Sequence, residues 1–258
     1  MLKTHDITVD CKESVSILTM RRPERRNALS LAMMRELACA LDELGADRSV
    51  RAVIVAGDGP AFSAGHDLTE LRAREQADYV AIFDQCIALM QTIERIPQPV
   101  IAEVGAIATA AGCQLVAACD LAVASTQARF ATPGVRIGLF CSTPMVALSR
   151  DVGRKRAMQM LLTGEPIDAA TALAWGLVNA VVEPEHLRAA TLALATRIGE
   201  ASAAVVGLGK AAFYRQLEMD ERAAYAFTRD VMVQNSQLED AQEGIAAFID
   251  KRSPRWTT

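Results

Sequence analysis

Ser63-Ala64-Gly65-His66-Asp67 brings a hydroxyl, an imidazole and a carboxylate together within five residues. These are the residue types of a hydrolytic triad, but three near-consecutive side chains cannot readily converge on one proton-transfer line, so no triad is expected there. His66 still carries weight on its own, because an imidazole titrates near neutral pH. Ala110-Ala111-Gly112-Cys113-Gln114-Leu115 is a run of small residues entering an apolar segment. Small residues let a backbone approach a ligand, and a helix N-terminus adds partial positive charge, so the run suits backbone N–H groups aimed at an oxygen that gains negative charge. It equally suits tight helix–strand packing without a ligand. Gly138-Leu139-Phe140-Cys141-Ser142-Thr143 offers Cys141 and Ser142 as nucleophiles or hydrogen-bond donors, with a small core thiol the competing reading for Cys141. Arg21, Arg22, Arg25 and Arg26 form a dense basic group, either a solvated turn or an anion site. Asp67 and Glu70, three apart, read as caps of a local helix rather than as an acid–base pair. HExxH, GxSxG and GxxxxGK[ST] do not occur, and Gly207-Leu208-Gly209-Lys210 is too short for a phosphate loop.

The elements that must position these groups alternate in type. Val15–Met20 is a β-rich run ended by Arg21-Arg22-Pro23. Leu31, Met34, Leu37, Leu41 and Leu44 repeat at helical spacing behind Ser30, a plausible N-cap. Residues 52–56 read as a buried strand closed by Gly57-Asp58-Gly59-Pro60. Tyr79, Phe83, Ile87, Met90 and Ile93 mark a second amphipathic helix that stops near Pro97, and Val100–Val104 is another strand. Asp168 is expected to cap a helix ended by Gly176, with residues 178–182 a last strand. Beyond Pro184 the sequence reads as helix, and Ser236 with Glu239 three residues on forms a capping-box pattern. Strands alternating with helices predict an α/β fold with crossover connections, and we place a boundary near residue 200, between a core (1–200) and a helical region (201–258).

Composition narrows the function classes. With 258 residues, half of them hydrophobic (51%), the chain can bury a sizeable core. A net charge of -4 argues against a nucleic-acid partner, since phosphate contacts need a basic face. The six cysteines form no CxxC pair and lack metal-ligand spacing, which suits a reducing compartment and no metal site. The N-terminal stretch Met-Leu-Lys-Thr-His-Asp has no apolar h-region, and the longest uncharged run, residues 104–119, is shorter than the ~20 apolar residues of a membrane span. These features predict a cytoplasmic protein with no membrane span.

Three segments in order resemble the crotonase (enoyl-CoA hydratase/isomerase) superfamily: Arg22-Pro23-Glu24-Arg25-Arg26-Asn27-Ala28-Leu29, then Phe62-Ser63-Ala64-Gly65-His66-Asp67-Leu68, then Ala110-Ala111-Gly112-Cys113-Gln114-Leu115 trailed by Cys119-Asp120. Thr163-Gly164-Glu165-Pro166-Ile167 and Ala174-Trp175-Gly176-Leu177-Val178 continue the match. The resemblance implies an α/β, crotonase-like (ClpP/crotonase) spiral of ββα units with a C-terminal helical oligomerisation region forming homotrimers or hexamers. It implies a coenzyme A thioester as substrate, with coenzyme A present only as part of that substrate and no separate cofactor. The thioester oxygen would be held by the backbone N–H groups of His66 and Ala111. The coenzyme A would lie against Ala28, Ala64, His66, Asp67 and Leu68, with Arg25 or Arg26 at its phosphates and Phe248 and Lys251 supplied by a neighbouring subunit.

Family hydratases carry two glutamates around one water, and the matching positions here hold Gln114 and Gly134, the latter after Phe130-Ala131-Thr132-Pro133. An amide is no general base and glycine has no side chain, so two-glutamate hydration is not expected. The catalytic candidates are then His66, Ala111, Gln114, Gly134 and Cys141, the last standing where some decarboxylases of the superfamily place a tyrosine. The preferred expectation is an acyl-CoA-processing protein that stabilises a thioester enolate. A malonyl-type decarboxylase and a catalytically silent acyl-CoA binder are the alternatives. Restoring glutamate at 114 or 134 alone is expected to fail, and restoring both to raise hydration modestly.

Overall fold

The alternation of strand and helix becomes a repeat of ββα units in the computed structural model, which describes residues 5–257. Strands β1 (Ile7–Lys12), β2 (Val15–Met20), β3 (Ala52–Gly57), β5 (Val100–Val104), β7 (Leu121–Ser125) and β10 (Ala180–Val182) form a six-stranded sheet in the order β1-β2-β3-β5-β7-β10. Strands β4 (Ala61–Ser63), β6 (Ile107–Thr109), β8 (Arg129–Ala131) and β9 (Ile167–Asp168) form a second sheet in the order β4-β6-β8-β9. Consecutive pairs β3–β4, β5–β6 and β7–β8 therefore place one strand in each sheet, and each pair is followed by a helix. The helices are α1 (Leu31–Ala46), α2 (Gln76–Arg95), α3 (Ala111–Ala118), α4 (Pro144–Asp151), α5 (Arg154–Thr163), α6 (Ala169–Trp175), α7 (Leu187–Gly199), α8 (Ala203–Gln216), α9 (Glu221–Ser236) and α10 (Glu239–Ile249). This is the expected α/β spiral with a helical C-terminal region.

The strands read as apolar runs because the large sheet is covered on both faces. Val15, Ile17, Ile54, Ile101 and Val123 pack with Leu187 and Ala195 of α7, while Leu18, Met20, Val53, Val55 and Val100 join the core with α1 and α2. Ser30 caps α1 by accepting from the Met33 N–H at 3.1 Å, and Asp168 caps α6 by accepting from the Thr171 N–H at 2.8 Å.

Four local expectations need correction. The buried stripe of α2 runs through Ile82, Cys86, Leu89, Met90 and Ile93, rotated from the one expected, and Ile87 is exposed. The last strand spans only Ala180–Val182, because residues 178 and 179 complete the turn after Gly176, where the Leu177 and Asn179 N–H groups donate to Ala172 and Ala122. Ser236 does not cap α10; it is still inside α9, where its hydroxyl donates to the Met232 carbonyl one turn back. Asp67 and Glu70 sit in turns: Asp67 accepts from Thr69, and Glu70 reaches across to cap α1 at the Leu31 N–H, 2.7 Å away.

The C-terminal region is tied to the core by a buried ion pair. Lys210 of α8 donates to Asp120 at 2.6 Å and to the carbonyls of Ile93 and Gln98, while Tyr214 donates to the other Asp120 oxygen at 2.8 Å. Burial lowers the Lys210 pKa and Asp120 pulls it back up. Removing either charge would leave the other buried and unpaired, a cost of about 3–5 kcal/mol.

Candidate active site

The site begins where β4 leaves the small sheet. Asn27, fully buried with φ 51°, clamps the preceding loop: its side chain accepts from the Arg22 N–H and donates to the carbonyls of Asp58 and Ala61. Two ladder-like bonds then fasten residues 26–29 to residues 64–67: Leu29 N–H to the Gly65 carbonyl at 2.8 Å, and Asp67 N–H to the Leu29 carbonyl at 3.2 Å. His66 lies between these bonds in a single parallel bridge with Leu29, and among the described residues its own N–H has no backbone acceptor.

The second wall is the start of α3. Ala110 holds a φ of 50° and ψ of -120°, a conformation costly for a residue with a Cβ, and is pinned by its N–H donating to the Ala131 carbonyl at 2.9 Å. Ala111 then opens the helix with an N–H that lies beyond intrahelical pairing. The two walls touch so closely that only glycine fits at two points. A Cβ on Gly65 would meet the Thr109 carbonyl at 2.9 Å and the Ala111 nitrogen at 3.1 Å; one on Gly112 would meet the Ser63 carbonyl oxygen at 2.3 Å. Gly65 also has φ +86°. The loop that carries His66 thus packs directly against the start of α3, where Ala111 stands.

Side chains around this point are buried and underpaired. The His66 ring packs edge-on against Phe83 of α2 at 5.4 Å, and both ring nitrogens are sealed from solvent without a partner at hydrogen-bonding geometry. Burial lowers its pKa, and the Leu29 carbonyl opposes this more weakly. Ser63 donates to the Asn27 carbonyl and Asp67 bonds Thr69, so neither is coupled to the imidazole as a triad requires. Gln114 is 5% exposed and its Oε1 lies 3.8 Å from the Cys86 thiol, whose pKa burial pushes up to about 12. The Thr132 hydroxyl, next to the Ala131 that holds Ala110, is buried without a partner.

The lowered His66 pKa makes the stability of the fold depend on pH. The unfolded chain takes up a proton near the ordinary imidazole value of 6.5 while the folded chain resists. Stability therefore falls as pH drops through 6.5 toward the folded value, and is unaffected by this group above 6.5. We expect His66→Gln to narrow the gap in melting temperature between pH 7.5 and pH 5.5, measured by thermal denaturation of both proteins. An unchanged gap would show that the ring is not held neutral.

The 134–141 loop is built around the absence of a side chain. Gly134 lies buried in a 3₁₀ turn, Pro133–Ile137, and its carbonyl accepts from the Leu139 N–H at 2.9 Å. A Cβ there would meet the Leu139 carbonyl oxygen at 2.3 Å and the Cys141 sulfur at 2.8 Å. The Gly134 N–H lowers the Cys141 pKa, yet burial outweighs it and the thiol is held up in its protonated form. Cys141 is 7% exposed and packs with the core, which favours the packing role.

The remaining expected contacts are spread out. Ala28 and Asp67 are buried, Ala64 is half-buried, and Leu68, Arg25 and Arg26 are exposed beside them. Phe248 and Lys251 stand at the far end of the chain, with Phe248 86% exposed on α10, which packs on α8 and α9. Among the described residues no three of His, Cys, Asp and Glu cluster to hold a metal ion, and no single helix is long and apolar enough to cross a membrane. Sequence reasoning missed the Cys86–Gln114 contact and the Asn27 clamp; the small loop residue inside Arg26-Asn27-Ala28 was the only hint of the latter.

Two sheets threaded by ββα units, with a glycine-tight seam at the start of α3, define the crotonase superfamily. Within it, the chain belongs to the enoyl-CoA hydratase/isomerase family, whose profile matches residues 10–258. It is 49% identical over 95% of its length to enoyl-CoA hydratase domain-containing protein 3, mitochondrial, of Mus musculus, and spans 82% of that relative. Among solved structures, an enoyl-CoA hydratase of Mycobacterium smegmatis superposes with a TM-score of 0.96 at 50% identity, covering 98% of this chain and 100% of that one. The human enoyl-CoA hydratase domain-containing protein 3 superposes at 0.95 with 45% identity, covering 98% and 100%.

These relatives correct the expected cytoplasmic location, since those of mouse, Xenopus laevis and Homo sapiens are named as mitochondrial. The sequence argument tested only for a secretory h-region, and mitochondrial import reads a different, amphipathic and Arg-rich pattern. The first four residues used in that argument lie outside the described residues.

Proposed function

We propose that this chain binds an acyl-CoA thioester and draws negative charge onto its carbonyl oxygen with the backbone N–H groups of His66 and Ala111. The observation that carries this reading is the seam between residues 63–66 and 110–112, where Gly65 and Gly112 admit no Cβ and the Ala111 nitrogen comes within reach of the His66 loop. Preorganised donors of this kind stabilise a developing enolate by about 3 kcal/mol each. Coenzyme A would lie along Ala28, Ala64, Asp67 and Leu68, with the exposed Arg25 and Arg26 meeting phosphates. CoA thioesters should raise the melting temperature more than free acids of equal chain length, by about 2.7 kcal/mol of stability at a hundredfold excess over Kd. Equal shifts for butyryl-CoA and butyrate would overturn this reading.

The C-terminal helices support assembly. Phe213, Leu217, Tyr225, Met232, Val233, Ile245, Phe248 and Ile249, from the region of α8 to α10, are all more than half exposed in one chain. A homotrimer, alone or paired as a hexamer, would cover these side chains and would carry Phe248 and Lys251 to a neighbour's coenzyme A. Light scattering at micromolar concentration should report a trimer or hexamer; a monomer contradicts the proposal.

Malonyl-type decarboxylation is the second reading, favoured by the lack of a carboxylate at positions 114 and 134 and by a His66 whose ring nitrogens are sealed from solvent and whose pKa burial lowers. The bond from C2 to the carboxyl carbon would break, its electron pair passing into the thioester enolate as carbon dioxide leaves, and C2 would then take a proton from water. That route needs no general base. Turnover of malonyl-CoA with release of carbon dioxide would establish it, and its absence alongside tight binding would leave the silent-binder alternative.

A further inference from the structure

We propose that Lys210 is a positioning residue for the acyl-CoA site: from α8 it holds the C-terminal ends of α2 and α3, one helix packed against His66 and the other carrying Ala111. The proposal rests on the acyl-CoA reading above and adds what keeps the carbonyl donors in place. The need for Lys210 begins in the sequence. The Ile93 carbonyl lies in the last turn of α2, where its intrahelical partner would be the N–H of residue 97, and residue 97 is a proline without one. Lys210 Nζ supplies the missing donor at 2.7 Å, and a cation at a helix C-terminus also meets the negative end of its dipole. The same ammonium donates to the Gln98 carbonyl at 2.9 Å and to Asp120 at 2.6 Å, which uses all three of its N–H groups. Asp120 comes two residues after the end of α3, and it also accepts from the Val100 N–H of β5 at 2.7 Å and from the Tyr214 hydroxyl at 2.8 Å. With its side chain only 7% exposed, Lys210 makes these bonds away from competing water.

Both helices lead from this node to the site. α2 carries Phe83, whose ring packs against His66 at 5.4 Å, and Cys86, whose thiol lies 3.8 Å from Gln114 of α3. α3 is eight residues long, about 12 Å, so a displacement at its Asp120 end reaches Ala111 with little loss. The contact of Gly112 with Ser63 limits how near α3 can come to β4, but repulsion does not hold it there. Attraction does, and it acts at the two ends: through the Ala110 N–H on the Ala131 carbonyl at one, and through the charge-assisted bonds of Asp120 at the other. α8 is itself closely seated on the 97–99 loop, where a Cβ on Gly207 would meet the Pro97 Cβ at 2.9 Å. Lys210 therefore passes the seat of α8 on to both helices.

Infrared spectra of carbonyl-labelled butyryl-CoA, taken with saturating protein and well below each melting temperature, test this on the full chain. Wild type should shift the carbonyl band to lower frequency. Lys210→Met, which keeps an unbranched stem and removes the ammonium, should lose most of that shift. Its affinity for butyryl-CoA should stay within about threefold of wild type, because the coenzyme A contacts lie on other segments. Tyr214→Phe removes one donor from Asp120, leaves the ion pair intact and should lose a smaller part of the shift. Arg188→Met is the control for lost stability: it breaks a 2.8 Å ion pair with the buried Glu103 of β5, beneath α7, and should keep the full shift. A full shift in Lys210→Met overturns the proposal, and so does an equal loss in Arg188→Met. If Lys210→Met does not fold, Tyr214→Phe decides: a reduced shift supports the proposal and a full one overturns it. An unshifted band in wild type overturns the carbonyl-polarising reading of the site instead, and this proposal with it.

Discussion

Gly112→Ala should abolish carbonyl polarisation, while the same change at Gly209 should stabilise the protein. At Gly112 the new Cβ would sit 2.3 Å from the Ser63 carbonyl oxygen and 2.8 Å from the Ser63 Cβ. Neither is the yielding end of a flexible side chain, so α3 must move away from β4 and carry the Ala111 N–H with it. Overpacking of this kind costs about 1–3 kcal/mol in stability. The functional cost is larger in relative terms, because losing one aligned donor reduces transition-state stabilisation by about a hundredfold or more. Gly209, in α8, has nothing within 4 Å of the equivalent position, and alanine there should add about 0.5–1 kcal/mol through helix propensity. Isotope-edited infrared spectra of carbonyl-labelled butyryl-CoA make the comparison without needing turnover. Bound to wild type and to Gly209→Ala, the carbonyl band should shift to lower frequency; bound to Gly112→Ala it should return toward its solution position. A full shift in Gly112→Ala would mean that the seam does not set the oxygen's donors.

Restoring both family glutamates should fail outright, contrary to the modest gain expected from the sequence. The physical reason lies at position 134. Its backbone does not have the positive φ that would make a side chain strained; the obstacle is space. The Leu139 carbonyl and the Cys141 sulfur occupy the volume a Cβ would need, and the Leu139 N–H closes the same turn onto the Gly134 carbonyl. Gly134→Glu must therefore open the loop before its carboxylate can reach any water, at a cost of about 1–3 kcal/mol or more. Gln114→Glu faces a milder problem, a buried carboxylate that among the described residues would meet the weak Cys86 thiol as its side-chain donor. We expect the double variant to melt below both single variants, and its crotonyl-CoA hydration, followed by absorbance, to stay within about twofold of wild type. Hydration well above that level, with an intact fold, would show that the loop can reorganise around a glutamate and that lost carboxylates alone silence hydration.

Much of this was legible in the sequence because it is local. The strand Val15–Met20, the caps Ser30 and Asp168, the left-handed Gly176 and the helical opening at Ala111 each depend on residues a few positions apart, and each stands where pattern and propensity put it. The ordered motifs around Asn27, His66 and Gln114 were enough for the family and its fold, and residue types alone revealed that positions 114 and 134 carry no carboxylate. What those substitutions mean was decided only in three dimensions. The Cys86 thiol that orients Gln114 lies 28 residues away in sequence, Glu70 caps α1 from 39 residues away, and Lys210 reaches Asp120 across 90. Periodicity assigns a side chain to a face but not to a partner, since the partner depends on which loops close and how near two backbones come. At Gly134 that nearness converts a missing side chain into a site with no room for one, and at Gln114 it sets the amide that stands in place of an acid against the Cys86 thiol.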